Sequence, residues 1–408
     1  MGKQRVVVTG MGVVSPFGEG TSLLWNQLKA GACALKKVDV SSVSNLLCSV
    51  AGTAPKINEK KISRLFRRTM SPMSIYAGLA AWEALDQAGL LQQDTMPRMG
   101  VSIGSTLGSP FAMEEFFQEY ITAKTVDGVR STAFFKAMSH TVASNVAILC
   151  GCQGRLLAPS CACASGLAGI GLAYEAIAAG KEQLMLCGGA DERHVPTAAT
   201  FDRMGIASHE QDPLAASRPF DAERSGLVVS EGAGVLVLES LESARGRHAP
   251  VLAEISGYAS IASPGNIAHP DASRMQACMQ EVLDDAGLHP KDIDYVNAHA
   301  TATQQGDAAE GQAVEQLFGP YAVPVSSLKG HLGHTMGASG SIEAIACIKM
   351  LNFDILLKTH GIKHIDSHCG RITHIRDTLS CPVDHILKNA FALGGVYASL
   401  ILSKRPEL

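Results

Sequence analysis

No stretch of this 408-residue sequence reaches the roughly 18 uninterrupted apolar residues that a membrane-spanning helix needs. The start, Met1-Gly-Lys-Gln-Arg-Val-Val-Val, passes from basic residues straight into a β-branched run, without the apolar core of a secretory leader. The expectation is a cytoplasmic protein with no membrane role. Excess charge is also missing: a formal net charge of −4 gives no global attraction to nucleic acid or to an anionic bilayer. Disorder is excluded by a hydrophobic content of 46%, enough for two or three domains' worth of core. A disulfide framework is not indicated either. The 11 cysteines are odd in number, and Cys187 and Cys347 sit inside apolar runs, as reduced buried thiols do.

Short Val/Ile/Leu runs alternate with Ala-rich amphipathic stretches, the pattern of an α/β protein whose strands are buried on both faces. Expected strands are Arg5–Thr9, Met99–Ile103, Arg155–Pro159, Leu184–Cys187 and Gly234–Leu238, with helices over Ser71–Ala88 and Ser165–Ala179. Near residue 251 the order starts again, with strand Val251–Ile255, helix Met275–Ala286, strand Tyr295–Ala298 and helix Gly340–Leu351. The order of elements alone implies two similar halves, 1–250 and 251–408; no sequence repeat is visible by eye. Asp191–Arg224 is poor in apolar runs and rich in charge, and reads as an excursion of loops and short helices able to carry a binding surface.

Chemistry concentrates at Cys163. It stands in Ala158-Pro-Ser-Cys-Ala-Cys-Ala-Ser-Gly166, where a short apolar run meets a small-residue helix. Unpaired amides and the positive end of the helix dipole would face the sulfur there and favour a thiolate. Downstream, His299 in Asn297-Ala-His-Ala-Thr-Ala-Thr303 and His334 in Lys329-Gly-His-Leu-Gly-His-Thr-Met-Gly337 lie in polar, glycine-rich stretches. One activated thiol with two imidazoles points to acyl transfer. Lys329 needs solvent or an anion, and Glu343 on the following helix is its expected partner. Competing motifs are weaker. Gly10-Met-Gly12 lacks the third glycine and the downstream acid of a dinucleotide fingerprint and reads as a tight turn. The pairs Cys150/Cys152 and Cys161/Cys163 are too tightly spaced for structural zinc, and His331/His334 lack the Glu of a metallopeptidase, so no metal is expected.

These motifs, with Asn389-Ala-Phe-Ala-Leu-Gly-Gly395, Ser217-Arg-Pro-Phe-Asp-Ala-Glu-Arg224 and Glu231-Gly-Ala-Gly234, resemble those of the β-ketoacyl-[acyl-carrier-protein] synthases over nearly the whole chain. The similarity is to the elongating synthase II branch and the type II polyketide ketosynthases. It implies a thiolase fold, two pseudo-symmetric α/β halves in a five-layer αβαβα arrangement, normally dimeric. The implied reaction is a decarboxylative Claisen condensation of a Cys163-bound acyl chain with a malonyl carrier. The carrier's phosphopantetheine supplies the thioester and no tightly bound cofactor is needed. By family pattern the amides of Cys163 and Leu393 form an oxyanion hole, and His299 and His334 serve the malonyl thioester. Lys329 and Glu343 support them, Thr301 and Thr303 bind the pantetheine amides, and Leu107, Leu227, Phe391 and Gly394 line the substrate site. An acidic carrier protein would dock on the basic run Lys60, Lys61, Arg64, Arg67 and Arg68, which a solvated helix face explains equally well.

Departures from the family pattern are specific. The usual Gly-Phe-Gly-Gly is Ala392-Leu393-Gly394-Gly395, Val396-Tyr397 replaces Thr-Asn, Leu227 replaces a phenylalanine, and Ala300 replaces the glycine of His-Gly-Thr. Leucine for phenylalanine reshapes the acyl pocket and leaves every acid, base and nucleophile in place. The expected substrate is therefore a specialised chain, such as a rigid polyene or aryl-polyene. Two other readings compete: a non-catalytic chain-length partner, which would lack the nucleophile, and a coenzyme A-dependent thiolase, which would carry a second cysteine near residue 394. An initiating synthase would use Cys-His-Asn. Retention of Cys163, His299, Lys329 and His334 favours the elongating type, as a homodimer or as the active half of a heterodimer.

Overall fold

A computed structural model describes residues 3–41, 43–91, 97–128 and 130–405; Met1 and Gly2 of the expected N-terminal segment lie outside the described residues. The first half carries β1 (Val6–Ser15), α1 (Pro72–Gln87), β2 (Gly100–Gly104), α2 (Thr141–Cys150), β3 (Leu156–Leu157), α3 (Ser165–Ala178), β4 (Leu184–Asp191) and β5 (Gly232–Ser240). The second carries β6 (Ala253–Ala262), α4 (Ala272–Ala286), β7 (Tyr295–Asn297), α5 (Gln304–Phe318), β8 (Pro324–Ser326), α6 (Ser339–Phe353), β9 (His385–Ala392) and β10 (Val396–Ser403).

Sheet order in the first half is β3-β2-β4-β5-β1 and in the second β8-β7-β9-β10-β6. Each half is parallel through its first three strands and antiparallel through the rest. The halves hydrogen-bond where Val6–Val8 runs antiparallel to Ala253–Ile255. Three apolar clusters define the layers. One packs α1 and α2 on the outer face of the first sheet, one packs α4 and α5 on the second, and the central one buries α3 and α6 between them. That is the five-layer thiolase arrangement. The helix α6 is buried on every side up to Ile348, which explains its apolar composition all round.

Pseudo-symmetry extends to single atoms. Short turns Ala162–Ala164 and Met336–Ala338 lead into α3 and α6, and each opens on a left-handed residue, Ala162 at φ 47° and Met336 at φ 54°. Ser165 Oγ donates to Ala162 O at 2.7 Å, and Ser339 Oγ donates to Met336 O at 2.8 Å. The two helices cross on glycine. A Cβ at Gly166 would lie 2.4 Å from Gly337 O, and one at Gly340 would lie 2.6 Å from Leu167 N. The repeated Ala-Ser-Gly at 164–166 and 338–340 is the sequence trace of this crossing.

Gly10-Met-Gly12 is not a turn but the middle of β1, which continues to Ser15 through a bulge between Val8 and Gly10. The reason is close packing: a Cβ at either glycine would run into the carbonyl oxygens of Ala84 and Ala80 on α1. Asp191–Arg224 holds the helix Val195–Arg203 and otherwise loops. No helix among the described residues is long and apolar enough to cross a membrane.

Candidate active site

Cys163 sits in the turn before α3, where first-turn amides have no partner four residues back. His299 follows β7 and His334 follows the short helix Lys329–Leu332, so both imidazoles come from the second half. The fold brings the three together: Cys163 Sγ and one nitrogen of each ring lie within 4.8 Å of one another. The rings meet edge to face, with centroids 5.3 Å apart. All three are buried. Behind them Lys329 Nζ donates to Glu343 Oε1 at 2.7 Å, both fully enclosed.

Electrostatics set the resting protonation states. Burial lowers the pKa of His299 and His334 far below the usual imidazole value, and the Lys329 charge adds to it, so both rings are neutral. Burial works against an ionised Glu343, but the ammonium groups beside it outweigh this and keep its pKa low. For Cys163 burial prevails and pushes the thiol up to about 12, although the Lys329 charge pulls the other way. The resting group is therefore a thiol, not the thiolate expected from a helix start, because lost solvation exceeds what the helix end and the distant ammonium return. Three ligand atoms at this spacing also suit a metal ion geometrically, but the same Lys329 charge opposes a second cation. His331 points elsewhere, its ring nitrogens facing the carbonyl oxygens of Ala32 and Lys358.

A cavity of about 400 Å³ has Cys163, His299 and His334 in its wall, with Thr301, Thr303, Leu227, Phe391 and Leu393 around it. Thr301 Oγ1 and Thr303 Oγ1 lie 3.1 Å apart. Leu227 and Leu393, distant in sequence, pack into one apolar cluster with Met336. Gly394 and Gly395 both have left-handed φ, and the Gly394 N–H donates to Ile267 O at 3.0 Å, tying the turn to the 263–271 loop. Tyr397 fastens the same loop, its hydroxyl accepting from the Asp271 N–H at 3.0 Å. Neither Leu107 nor Gly394 is in this wall, although Leu393 and Gly395 are; Leu107 is exposed on the turn before the helix Pro110–Ala123. In the basic run Lys61 pairs with Glu19 and Arg67 with Glu59, while Arg64 and Arg68 are exposed and form no ion pair among the described residues.

Sequence reasoning missed four acids and bases. Glu310 on α5 accepts the amides of His299 at 2.9 Å and Ala300 at 2.7 Å, and so holds the histidine loop. Asp307, one turn earlier, accepts the Thr301 amide at 2.9 Å; a pair of acids three apart beside Gly306 and Gly311 was the available signal. Lys388 on β9 is fully buried with Nζ 2.6 Å from Glu343 Oε2. Asp191 accepts the Gly337 amide at 2.6 Å and Thr106 Oγ1, and burial raises its carboxyl to about 7.

A thiolase-type fold with a buried Cys-His-His triangle backed by a Lys–Glu pair defines a condensing acyltransferase. Residues 3–244 match "Beta-ketoacyl synthase, N-terminal domain" and residues 252–363 match "Beta-ketoacyl synthase, C-terminal domain", and the chain belongs to the β-ketoacyl synthase family. It is 34% identical to "Putative polyketide beta-ketoacyl synthase 1" of Streptomyces halstedii, covering 98% of each chain. It is 32% identical to "3-oxoacyl-[acyl-carrier-protein] synthase 2" of Vibrio cholerae, covering 99% of this chain and 100% of the relative. A solved β-ketoacyl synthase from Burkholderia phymatum superimposes with a TM-score of 0.95 at 38% identity, over 99% of this chain and 100% of that one.

Proposed function

We propose that the chain condenses a Cys163-bound acyl group with a malonyl thioester, both delivered on the phosphopantetheine arm of an acyl carrier protein. The observation that carries this is the triangle of one thiol and two neutral imidazoles in the wall of one cavity. A neutral ring takes the Cys163 proton as the sulfur attacks the carrier thioester; the carrier C–S bond breaks and its thiol leaves protonated. The amides of Cys163 and Leu393 stabilise the oxyanion. Malonyl carrier then binds along Thr301 and Thr303. Its C–C bond to the carboxylate breaks, carbon dioxide leaves, and the electron pair forms an enolate held by the two imidazole N–H groups. The enolate carbon attacks acyl-Cys163, the cysteine sulfur is expelled and takes a proton from solvent, and a 3-oxoacyl carrier is released. The halves 1–250 and 251–408 divide this work, the first giving the nucleophile and the second the enolate site. The leucine pair at 227 and 393 supports selection of a specialised chain over a saturated straight one.

Assembly follows from the surface. Helices Pro110–Ala123 and Ser131–Ala137 expose Phe111, Phe117, Ile121, Phe134 and Phe135, and β3 lies at a sheet edge. A second ketosynthase-like chain covering this face would remove both liabilities. Intact-mass analysis after exposure to a panel of acyl carriers tests the reading. One acyl group should appear on the wild type, none on Cys163→Ala, and malonyl carrier should discharge it; a Cys163→Ala protein that loads equally well refutes it.

A further inference from the structure

One carboxylate, Glu343, carries two buried ammonium groups, Lys329 at 2.7 Å from Oε1 and Lys388 at 2.6 Å from Oε2. Neither lysine has solvent to turn to, since both are fully buried. A lysine inside a central strand is a costly choice, because burial removes the hydration of its charge. Lys388 Nζ also donates to the carbonyl of Asn389, whose side chain donates to Glu310 at 3.1 Å. Glu310 in turn holds the amide of His299. Lys388 thus stands where the support of Lys329 and the support of His299 meet.

We propose that Lys388 is a positioning residue for the condensation: it holds the second oxygen of Glu343, so fixing Lys329, and adds a second buried positive charge behind the Cys163–His299–His334 triangle. The inference rests on the condensation reading above. Negative charge develops at that triangle in the enolate and in the tetrahedral intermediate, and a fixed cation in a dry site stabilises it without reorganisation. The groups facing Lys388 are Glu343 and Cys347 on α6, Glu310 on α5, Lys329, and the two imidazoles. Two positive and two negative charges are therefore buried together with neutral rings. Lys388 opposes protonation of both imidazoles, so its loss should raise their pKa.

The test compares Lys388→Met, Lys388→Gln and Lys388→Arg with wild type in separate acylation and condensation assays across pH. Without the charge, condensation kcat should fall roughly 10- to 100-fold, less than for loss of a donor that touches the oxyanion. The KM for malonyl carrier should hold and Cys163 acylation should fall less. The acid limb of the condensation profile should move toward higher pH as a like charge leaves the imidazoles. Lys388→Arg should keep the wild-type limb. Folded Lys388→Met or Lys388→Gln protein with unchanged kcat and acid limb would reduce Lys388 to a packing role. Should Lys388→Met not fold, Lys388→Gln keeps a polar donor at this position, loses the charge, and gives the same reading. If acylated wild type fails to condense, the condensation reading fails first, which separates the two.

Discussion

Replacing Glu310 by Gln changes one atom in a buried carboxylate that holds three donors: the amides of His299 at 2.9 Å and Ala300 at 2.7 Å, and the Asn389 side chain at 3.1 Å. The replacement is nearly isosteric, so no cavity term enters. Its single carbonyl oxygen can serve the His299–Asn389 side or the Ala300 side, and the other side then meets an NH₂, donor against donor. A stranded buried donor costs about 1–3 kcal/mol, and the surviving bonds lose roughly 1 kcal/mol each of charge assistance. Burial pushes the Glu310 carboxyl up, so wild type already carries part of the cost of an enclosed charge that Gln relieves. The net loss should be about 2–3 kcal/mol, seen as a lower denaturation midpoint. Catalysis should suffer more than stability. The amide that shifts belongs to His299 or to its neighbour Ala300, and a displacement near 1 Å at the ring costs about 100-fold in rate. Glu310→Gln with the wild-type midpoint and condensation rate would show that the 297–303 loop is held by something else.

Cys163 should behave as a thiol at rest. With its pKa raised to about 12 by burial, iodoacetamide labelling read by intact mass should climb about tenfold per pH unit across the neutral to alkaline range. A plateau near neutral pH would mean a thiolate and overturn the proton transfer to an imidazole. Leu227→Phe and Leu393→Phe each put a ring into the same apolar wall, at an overpacking cost of about 1–3 kcal/mol. They should lower kcat/KM for bulky or unsaturated acyl carriers relative to saturated short ones; unchanged selectivity would remove the leucine pair from the substrate argument. Reversing the exposed cations with Arg64→Glu and Arg68→Glu should weaken turnover of carrier-bound substrates more than self-acylation by small thioesters. Equal loss on both would count against docking there.

What was legible in the sequence was chemistry that has few alternative uses. A cysteine among small residues, two histidines in polar glycine-rich loops and a lysine ahead of an acid came together in space as their neighbours implied. Strand and helix order was readable because strands buried on both faces are nearly unbroken apolar runs. Boundaries were not: Arg5–Thr9 became Val6–Ser15, since the glycines inside β1 serve helix packing, which no local pattern reveals. Lys388 escaped notice because a lysine in a strand ordinarily reaches solvent, and only a strand sealed on both faces forces it inward. The thiol's state was misjudged for a similar reason. Proximity to a helix start is local and visible, whereas desolvation is a property of the whole fold.

The central claim is most directly tested by following the acyl group on Cys163 after addition of malonyl carrier labelled in its free carboxyl. The account predicts that loss of the acyl group from Cys163, release of labelled carbon dioxide and appearance of 3-oxoacyl carrier proceed together in equal amounts, and that His299→Ala and His334→Ala enzymes load but do not discharge. Acyl groups leaving to water, or carbon dioxide released without the ketone product, would contradict it.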